Sequence, residues 1–144
     1  MMFRSAGFLQ SGVSCPSELI GVLREAQIDA TAHQSYQLDQ ASLDAAELLL
    51  TMEGQHVQKA TLIAPEAFPK VVPLKEAASV LGRMNSPTAT IEEFLEVLNS
   101  SRDPRQYLGT QWDVADPYGG RPKAYRKAVA EIEDLVTSVI GSLR

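Results

Sequence analysis

The chain offers few side chains that could do chemistry, and most of them stand alone. Cys15 is its only cysteine, so no disulfide can form within the chain, which favours a reducing compartment. Asp116 stands directly before Pro117 in a segment rich in Asp, Pro and Gly, and an Asp-Pro pair by itself is typical of a turn. The sequence contains no cluster of metal-ligand residues and no nucleotide-binding glycine motif, so neither a metal nor a cofactor is predicted.

Alternating strand and helix patterns predict the elements that must position these residues. Residues 2–6 indicate a short strand, and an apolar helical face follows over residues 16–28. The run 43–52, which contains three consecutive leucines, indicates a buried parallel strand, and a helix is predicted over 55–63. Residues 68–74 indicate an edge strand, because two prolines remove backbone donors there.

Two further helices complete the pattern. Thr90, followed three places later by Glu93, predicts a capping box at a helix start. Apolar residues recur at helical spacing from 123 to 143, and the segment 100–120 before them reads as an ordered surface loop. Strands that alternate with helices predict an α/β fold with a parallel sheet, in a single domain over residues 1–144.

Length and composition are those of an ordinary globular protein. The chain has 144 residues, of which 44% are hydrophobic and 22% charged. Its net charge of −5 disfavours binding to nucleic acid or to an anionic membrane surface. The apolar runs are too short to span a bilayer and the first residues lack a signal-peptide layout, so a cytoplasmic location is expected.

Four groups of segments follow one another in a specific order. They are Ser5-Ala6-Gly7; residues 23–29 with His33 and Gln37-Leu38; residues 46–53 with His56; and Asp113 to Gly120 followed by Tyr125-Arg126. In this order the sequence resembles the low-molecular-weight protein tyrosine phosphatase family, in its bacterial, arsenate-reductase-like form. Asp116-Pro117-Tyr118, which is similar to the family's general-acid loop, is the most specific part. The resemblance implies a three-layer sandwich in which a small parallel sheet is flanked by helices.

The resemblance also implies roles for four residues. In the family a cysteine thiolate attacks phosphorus, a Cys-x5-Arg loop wraps the phosphate with backbone N–H groups, and an aspartate protonates the leaving tyrosine oxygen. By resemblance, Asp116 is this general acid and Tyr118 lines the phosphotyrosine slot. Ser5 and His33 match positions that support the phosphate loop by hydrogen bonds. A phosphotyrosine protein or a phosphate-like anion is the implied ligand of a completed site.

The sequence departs from the family at the nucleophile. In the family the Cys-x5-Arg loop, the strand before it and the helix after it all precede the Ser-Ala-Gly strand, at which this sequence begins. In an alternative alignment Arg4-Ser5 ends the nucleophile loop, and its cysteine then falls six residues earlier, before Met1. Either alignment leaves no nucleophile. Cys15 does not replace the nucleophile, because the position at which the motif requires arginine is Gly21. Tyr36 also stands where the family usually has arginine. We therefore expect an N-terminally truncated family member that lacks the first strand and the first helix.

The absent strand has a physical consequence for the sheet. In the family it lies between the Ser-Ala-Gly strand and the Leu-Leu-Leu strand, so its loss leaves backbone groups of both unpaired. Each such group costs on the order of 1–3 kcal/mol when it is buried. We expect one of three outcomes: residues 1–8 occupy the vacant central position, a second copy supplies a strand, or the missing piece lies upstream in the natural gene product. An exposed strand edge also favours a homo-oligomer.

Two functions remain open at this point. In the first, the natural protein hydrolyses phosphotyrosine in proteins through a phosphocysteine intermediate. In the second, the chain is a pseudophosphatase that binds a partner or a phosphoprotein without turnover. Arsenate reduction is disfavoured, because one cysteine cannot sustain a relay of thiols. Residues 1–144 alone are expected to be inactive, since covalent catalysis loses most of its rate advantage without a nucleophile and an anion cradle.

Overall fold

The computed structural model of the chain describes residues 1–84 and 88–144. The chain divides into two compact units. Unit 1 consists of Met1–Asp39 and Ala115–Glu131, and unit 2 consists of Gln40–Val114 and Ile132–Arg144. The last helix, α6 (Pro122–Ser142), therefore contributes its first part to unit 1 and its second part to unit 2.

Unit 1 contains one further helix, α1 (Ser17–Glu25), with Pro16 in the N-cap position. This helix is shorter than the predicted segment 16–28. It ends before Gln27, whose φ of 61° lies in the left-handed region, where an α-helix cannot continue. Ile28 is consequently outside the helix and exposed.

The opening of unit 1 is irregular. Residues 1–6 have no regular structure and are exposed, so the predicted strand over residues 2–6 is wrong. Pairing begins only at Gly7, whose N–H donates to the Tyr36 carbonyl (2.8 Å) and whose carbonyl accepts from the Leu38 N–H (2.7 Å). A mildly apolar run does not make a strand without a partner for its backbone groups. Among the described residues, this segment contributes no strand to the sheet.

Unit 2 contains the sheet. Strands β1 (Leu49–Thr51) and β2 (Val71–Pro73) are parallel, with Leu49 opposite Val71 and Thr51 opposite Pro73. Within the described residues the sheet has these two strands. All three residues of β2 are buried, although each strand of a two-stranded sheet is an edge strand. The neighbouring helices supply that burial, which is why an apolar Val-Val-Pro sequence occurs there.

The apolar run 43–52 divides between two elements. Helix α2 (Gln40–Ala45) takes its first part and β1 its last, so the predicted strand is correct only near its end. Helix α3 (Gly54–Ile63) follows as predicted and ends before Pro65. The edge strand predicted over residues 68–74 is confirmed in its later part by β2, whereas a 3₁₀ helix (Pro65–Lys70) occupies its first residues.

The remaining helices of unit 2 are α4 (Leu74–Arg83) and α5 (Ile91–Ser100), and a second 3₁₀ helix spans Pro104–Leu108. The predicted capping box is confirmed. The Thr90 hydroxyl accepts from the Glu93 N–H (3.1 Å), and the Glu93 carboxylate accepts from the Thr90 N–H (2.8 Å).

The hydrophobic core of unit 2 lies where α4, α5, the second part of α6 and β2 meet. Its buried members are Val72, Leu74, Ala77, Val80, Leu81, Ala89, Phe94, Leu98, Val139 and Leu143. The fold is thus α/β, with a small parallel sheet flanked by helices. No helix among the described residues has both the length and the apolar character needed to cross a bilayer.

Candidate functional site

The candidate acid lies in a tight turn of unit 1, residues 116–120, which we call the acid turn. One carboxylate oxygen of Asp116 accepts a hydrogen bond from the Tyr118 N–H (2.9 Å). The Gly120 N–H donates to the Pro117 carbonyl (2.8 Å), and Gly119 adopts a φ of 75°. A Cβ on Gly120 would lie 2.9 Å from that carbonyl oxygen, so the turn requires glycine there. These bonds fix the orientation of the Asp116 carboxylate.

The acid turn presents both of its candidate residues to solvent. Asp116 is exposed, and the Tyr118 residue retains 78% of its accessible surface. An aromatic ring left this exposed is available to stack against a flat group of a ligand. An exposed carboxyl group can exchange a proton with such a ligand.

The chain that leads to the acid turn is anchored within unit 2. The Asp113 carboxylate accepts from the Gly54 N–H (2.8 Å) at the start of α3. The Val114 N–H donates to the carbonyl of Met52 (2.8 Å), directly after β1. Glu53, the N-cap residue of α3, makes no side-chain cap bond, so Asp113 supplies the missing acceptor. A carboxylate at this position also interacts favourably with the helix dipole.

A second anchor lies six residues earlier. The Tyr107 carbonyl accepts from the Gln58 side-chain amide (2.7 Å). The same backbone passes close to Gly54, where an added Cβ would lie 3.2 Å from the Tyr107 carbonyl oxygen and 3.3 Å from its Cα. The absence of a side chain at residue 54 therefore permits the segment to approach α3 this closely.

Unit 2 also contains a buried polar cluster that the sequence patterns did not reveal. Glu76 is only 4% exposed, and its two carboxylate oxygens accept from the Tyr107 hydroxyl (2.7 Å) and the Gln106 amide (2.8 Å). Burial raises the pKa of the Tyr107 phenol to about 12; the Glu76 carboxylate adds to this rise, while Arg102 opposes it. The phenol therefore stays protonated and donates to Glu76.

Arg102 completes this cluster. Scattered loop arginines, such as Arg102, Arg105 and Arg121 in this sequence, are usually solvated. Arg102 instead donates to the carbonyls of Phe68 (2.7 Å) and Val71 and to the Tyr107 hydroxyl. Its guanidinium also lies 4.4 Å from the centre of the Phe68 ring. Arg105 and Arg121 are exposed, as expected.

The other two predicted site residues also lie in unit 1. Ser5 and His33 are both exposed, and neither side chain makes a hydrogen bond within the described parts of the chain. Asp116 and Tyr118 are therefore brought together by a direct bond, whereas no bond joins Ser5 or His33 to them. Support of a phosphate loop by Ser5 and His33 stays a prediction.

Cys15 is partly buried, and this burial raises the pKa of its thiol. A raised pKa lowers the thiolate fraction at neutral pH, and the thiolate is the nucleophile. Across residues 1–84 and 88–144, no three His, Cys, Asp or Glu side chains are grouped as metal ligands.

The chain as a whole matches a known protein family. The model of the low molecular weight phosphotyrosine protein phosphatase family matches residues 1–99. A protein-arginine-phosphatase of Geobacillus stearothermophilus is 30% identical over 142 residues, which are 98% of this chain and 76% of that protein.

Solved structures agree with this match. The YwlE arginine phosphatase from Geobacillus stearothermophilus aligns with a TM-score of 0.69 and 28% identity, over 94% of this chain and 70% of that one. Vibrio vulnificus Wzb in complex with benzylphosphonate aligns with a TM-score of 0.64 and 25% identity, over 92% of this chain and 73% of that one. Each match leaves part of the relative's own length uncovered.

Proposed function

Because the chain belongs to the low-molecular-weight phosphotyrosine protein phosphatase family, we propose that its acid turn is the proton-transfer element of a protein phosphatase. Asp116 is the general acid, and Tyr118 forms one wall of the slot for the phosphorylated side chain. The observation that carries this proposal is the bond from the Tyr118 backbone N–H to Asp116, which holds an exposed carboxyl group two residues before an exposed aromatic side chain.

Two proton transfers define the role of Asp116. When the bond from phosphorus to the leaving group breaks, the carboxyl group donates its proton to the departing atom. When water then attacks the phosphoryl group on the enzyme cysteine, the carboxylate accepts a proton from that water, and inorganic phosphate leaves. A phosphorylated protein side chain is the substrate class.

The nucleophile is the part of this reaction that residues 1–144 do not supply. Cys15 is the only cysteine, it does not begin a Cys-x5-Arg sequence, and burial raises its thiol pKa. We therefore propose that residues 1–144 by themselves do not turn over substrate. Without a nucleophile loop in the natural gene product, the function becomes that of a pseudophosphatase, in which the acid turn binds a phosphorylated partner.

The comparisons are consistent with two different leaving groups. The family description names phosphotyrosine, whereas the Geobacillus relative is a protein-arginine-phosphatase. A phenol leaves through oxygen and a guanidine through nitrogen, and a carboxylic acid can protonate either atom. We propose phosphotyrosine as the substrate, because Tyr118 offers a ring against which a phosphorylated phenol can stack.

The first test is turnover by residues 1–144. We expect no hydrolysis of p-nitrophenyl phosphate above background, because there is no thiolate in a phosphate-binding loop. Turnover that vanadate inhibits would contradict this expectation. Reading the DNA upstream of Met1 then separates the two functions, since an in-frame Cys-x5-Arg sequence supports the phosphatase and its absence supports the pseudophosphatase.

In a gene product that carries that loop, Asp116→Asn tests the acid directly. We expect kcat on a phosphotyrosine peptide to fall by about 10²–10⁴-fold. The loss on p-nitrophenyl phosphate should be smaller, because nitrophenolate leaves without needing a proton. Asp134→Asn, an exposed change in the second part of α6, is the control and should leave kcat unchanged. Equal losses on both substrates would exclude proton donation by Asp116.

A further inference from the structure

Directly after the acid turn, unit 1 carries a short run of positive charge. We propose that Arg121, Lys123 and Lys127, which we call the basic strip, bind acidic residues that flank the phosphorylated side chain of the partner protein. This proposal rests on the proposed function, because it takes the acid turn to face that partner.

The positive charges of the basic strip are not neutralised by the surrounding chain. Arg126, which lies in the same segment, donates two hydrogen bonds to Glu25 (2.7 and 2.8 Å) and is thereby paired. Arg121, Lys123 and Lys127 are all exposed, and none of them forms an ion pair within the described residues. Three cationic groups are therefore free to bind an anion.

Helix stability does not account for where these charges lie. The N-terminal end of a helix carries partial positive charge, which favours acidic side chains there and disfavours basic ones. Helices α1, α4 and α5 follow this rule with a glutamate in the first turn, whereas α2 and α3 have no acidic residue there. Helix α6 has no acidic residue in its first turn and has Lys123 there instead. Lys123 and Lys127 also repel each other, because residues four apart lie on one helix face.

The burial pattern of α6 shows that the helix face with Lys123 and Lys127 points away from the rest of unit 1. Tyr125 and Ala128 are buried, so they mark the inner side of the helix. At 100° per residue, Lys123 and Lys127 lie roughly opposite that side. Arg121 precedes the helix and directly follows Gly120, the last residue of the acid turn. The strip thus begins where the acid turn ends.

The spacing of the two lysines indicates what kind of ligand fits. Four residues of an α-helix rise by about 6 Å. Two residues of an extended peptide advance by about 6.6 Å, and their side chains point to the same side. An extended peptide with the pattern Glu-x-Glu or Asp-x-Asp therefore matches Lys123 and Lys127.

The wider charge balance favours a short acidic peptide over a long polyanion. The chain carries a net charge of −5, so nucleic acid or an anionic membrane would be repelled by most of its charged groups. A short acidic segment next to the strip avoids this repulsion, because exposed charges beyond roughly 8 Å are largely screened at physiological salt.

Peptide binding to residues 1–144 tests the proposal. Three peptides of equal length are compared by fluorescence anisotropy: a phosphotyrosine peptide with a Glu-x-Glu flank, the same peptide with Gln-x-Gln, and the Glu-x-Glu peptide without phosphate. We expect the acidic phosphopeptide to bind about tenfold more tightly than the Gln-x-Gln phosphopeptide at low salt, and this preference to shrink as salt is added.

Two charge-matched variants assign that preference to the strip. The triple variant Arg121→Gln, Lys123→Gln, Lys127→Gln should lose the preference for the acidic flank. The triple variant Lys59→Gln, Lys75→Gln, Arg83→Gln removes the same amount of charge from unit 2 and should keep the preference for the acidic flank. Equal affinity for both phosphopeptides, equal losses in the two variants, or no binding of any peptide would overturn the proposal.

The phosphate-free peptide separates this proposal from the proposed function. If the acid turn recognises the phosphorylated side chain, the acidic peptide should bind more weakly without its phosphate, and Tyr118→Ala should weaken the binding of the phosphorylated peptide. If phosphate makes no difference while the strip variant still abolishes the preference for Glu-x-Glu, the strip is upheld as an acidic-peptide site and the role of the acid turn fails.

Discussion

The two units of this protein differ in where they place their apolar side chains. Unit 2 contains the hydrophobic core, to which β2, α4, α5 and the second part of α6 contribute. In unit 1 the exposed large apolar residues are Met1, Met2, Phe3, Leu9, Val13, Ile28, Tyr36 and Tyr118. The larger unit 2 exposes Leu62, Ile63, Val97, Leu108 and Val136. All four predicted site residues nevertheless lie in unit 1. The candidate chemistry and the packing that stabilises the fold therefore belong to different parts of the chain.

The units also differ in their polar contacts. Unit 2 has buried ones, in which Glu76, Tyr107 and Arg102 satisfy each other and nearby carbonyls. The ion pair of unit 1 between Glu25 and Arg126 is exposed on both sides. Buried polar groups are costly to leave unpaired, whereas exposed pairs contribute little. Substitutions in unit 2 should therefore destabilise the protein more than matched substitutions in unit 1.

The largest effect is expected for Arg102→Ala. This change leaves the Phe68 and Val71 carbonyls without their donor in a partly buried site. Since each buried group left unpaired costs about 1–3 kcal/mol, we expect the free energy of unfolding to fall by about 2–5 kcal/mol, measured by urea denaturation. Arg105→Ala, which breaks only the exposed pair with Asp103, is the control and should change little. Similar losses in both variants would remove the contrast between buried and exposed contacts.

A smaller effect is expected for Gly54→Ala. The new Cβ would lie 3.2 Å from the Tyr107 carbonyl oxygen, and backbone on both sides limits relaxation. We expect a loss of about 1–3 kcal/mol in the free energy of unfolding. Gly82→Ala is the matched control, because residue 82 is helical and nothing lies within 4 Å of its added Cβ. That change should stabilise the protein by about 0.5–1 kcal/mol. If Gly82→Ala also destabilises the protein, the loss at residue 54 cannot be attributed to the close contact with Tyr107.

The smallest effect is expected in unit 1, for Glu25→Gln. Hydrogen bonds from Arg126 lower the pKa of Glu25 below its usual value of 4.5. A carboxyl group with a lowered pKa in the folded state stabilises the protein above its unfolded pKa, and this contribution is lost as the pH falls through the folded pKa. The variant should therefore be slightly less stable than the parent at neutral pH. The difference should begin to shrink near pH 4.5 and vanish once the pH is below the lowered pKa of Glu25 in the folded state.

Thermal unfolding over this pH range, with Glu133→Gln as an exposed control, measures that difference. A loss as large as that of Arg102→Ala would mean that unit 1 depends on this pair, and the comparison between the units would then fail.

Local patterns in the sequence predicted the elements whose causes are local. The capping box of Thr90 and Glu93, the end of α3 before Pro65 and the long helix α6 all follow from neighbouring residues. The strand over residues 2–6 was wrong because strand formation depends on a partner, which lies elsewhere in the chain. The run 43–52 was misread near its start, because a short apolar run does not distinguish a helix from a buried strand.

The candidate site shows the same limit. The Asp116-Pro117-Tyr118 sequence predicted a turn, and the bond from the Tyr118 N–H to Asp116 is a local consequence of that sequence. The contact between Asp113 and Gly54 joins residues 59 positions apart, so no spacing rule could indicate it. Glu76 lies in a helix where a charged residue normally faces water, and only the fold shows that Tyr107 and Gln106 cover it.

The Asp113 contact has a consequence for the order in which the protein can mature. The first turn of α3 is synthesised well before its acceptor, because 59 residues separate Gly54 from Asp113. On a ribosome that adds on the order of 5–20 residues each second, the nascent helix must wait several seconds for that carboxylate. Until Asp113 emerges, the leading end of α3 is left to fray in water, and a translational pause within this interval would prolong that exposure.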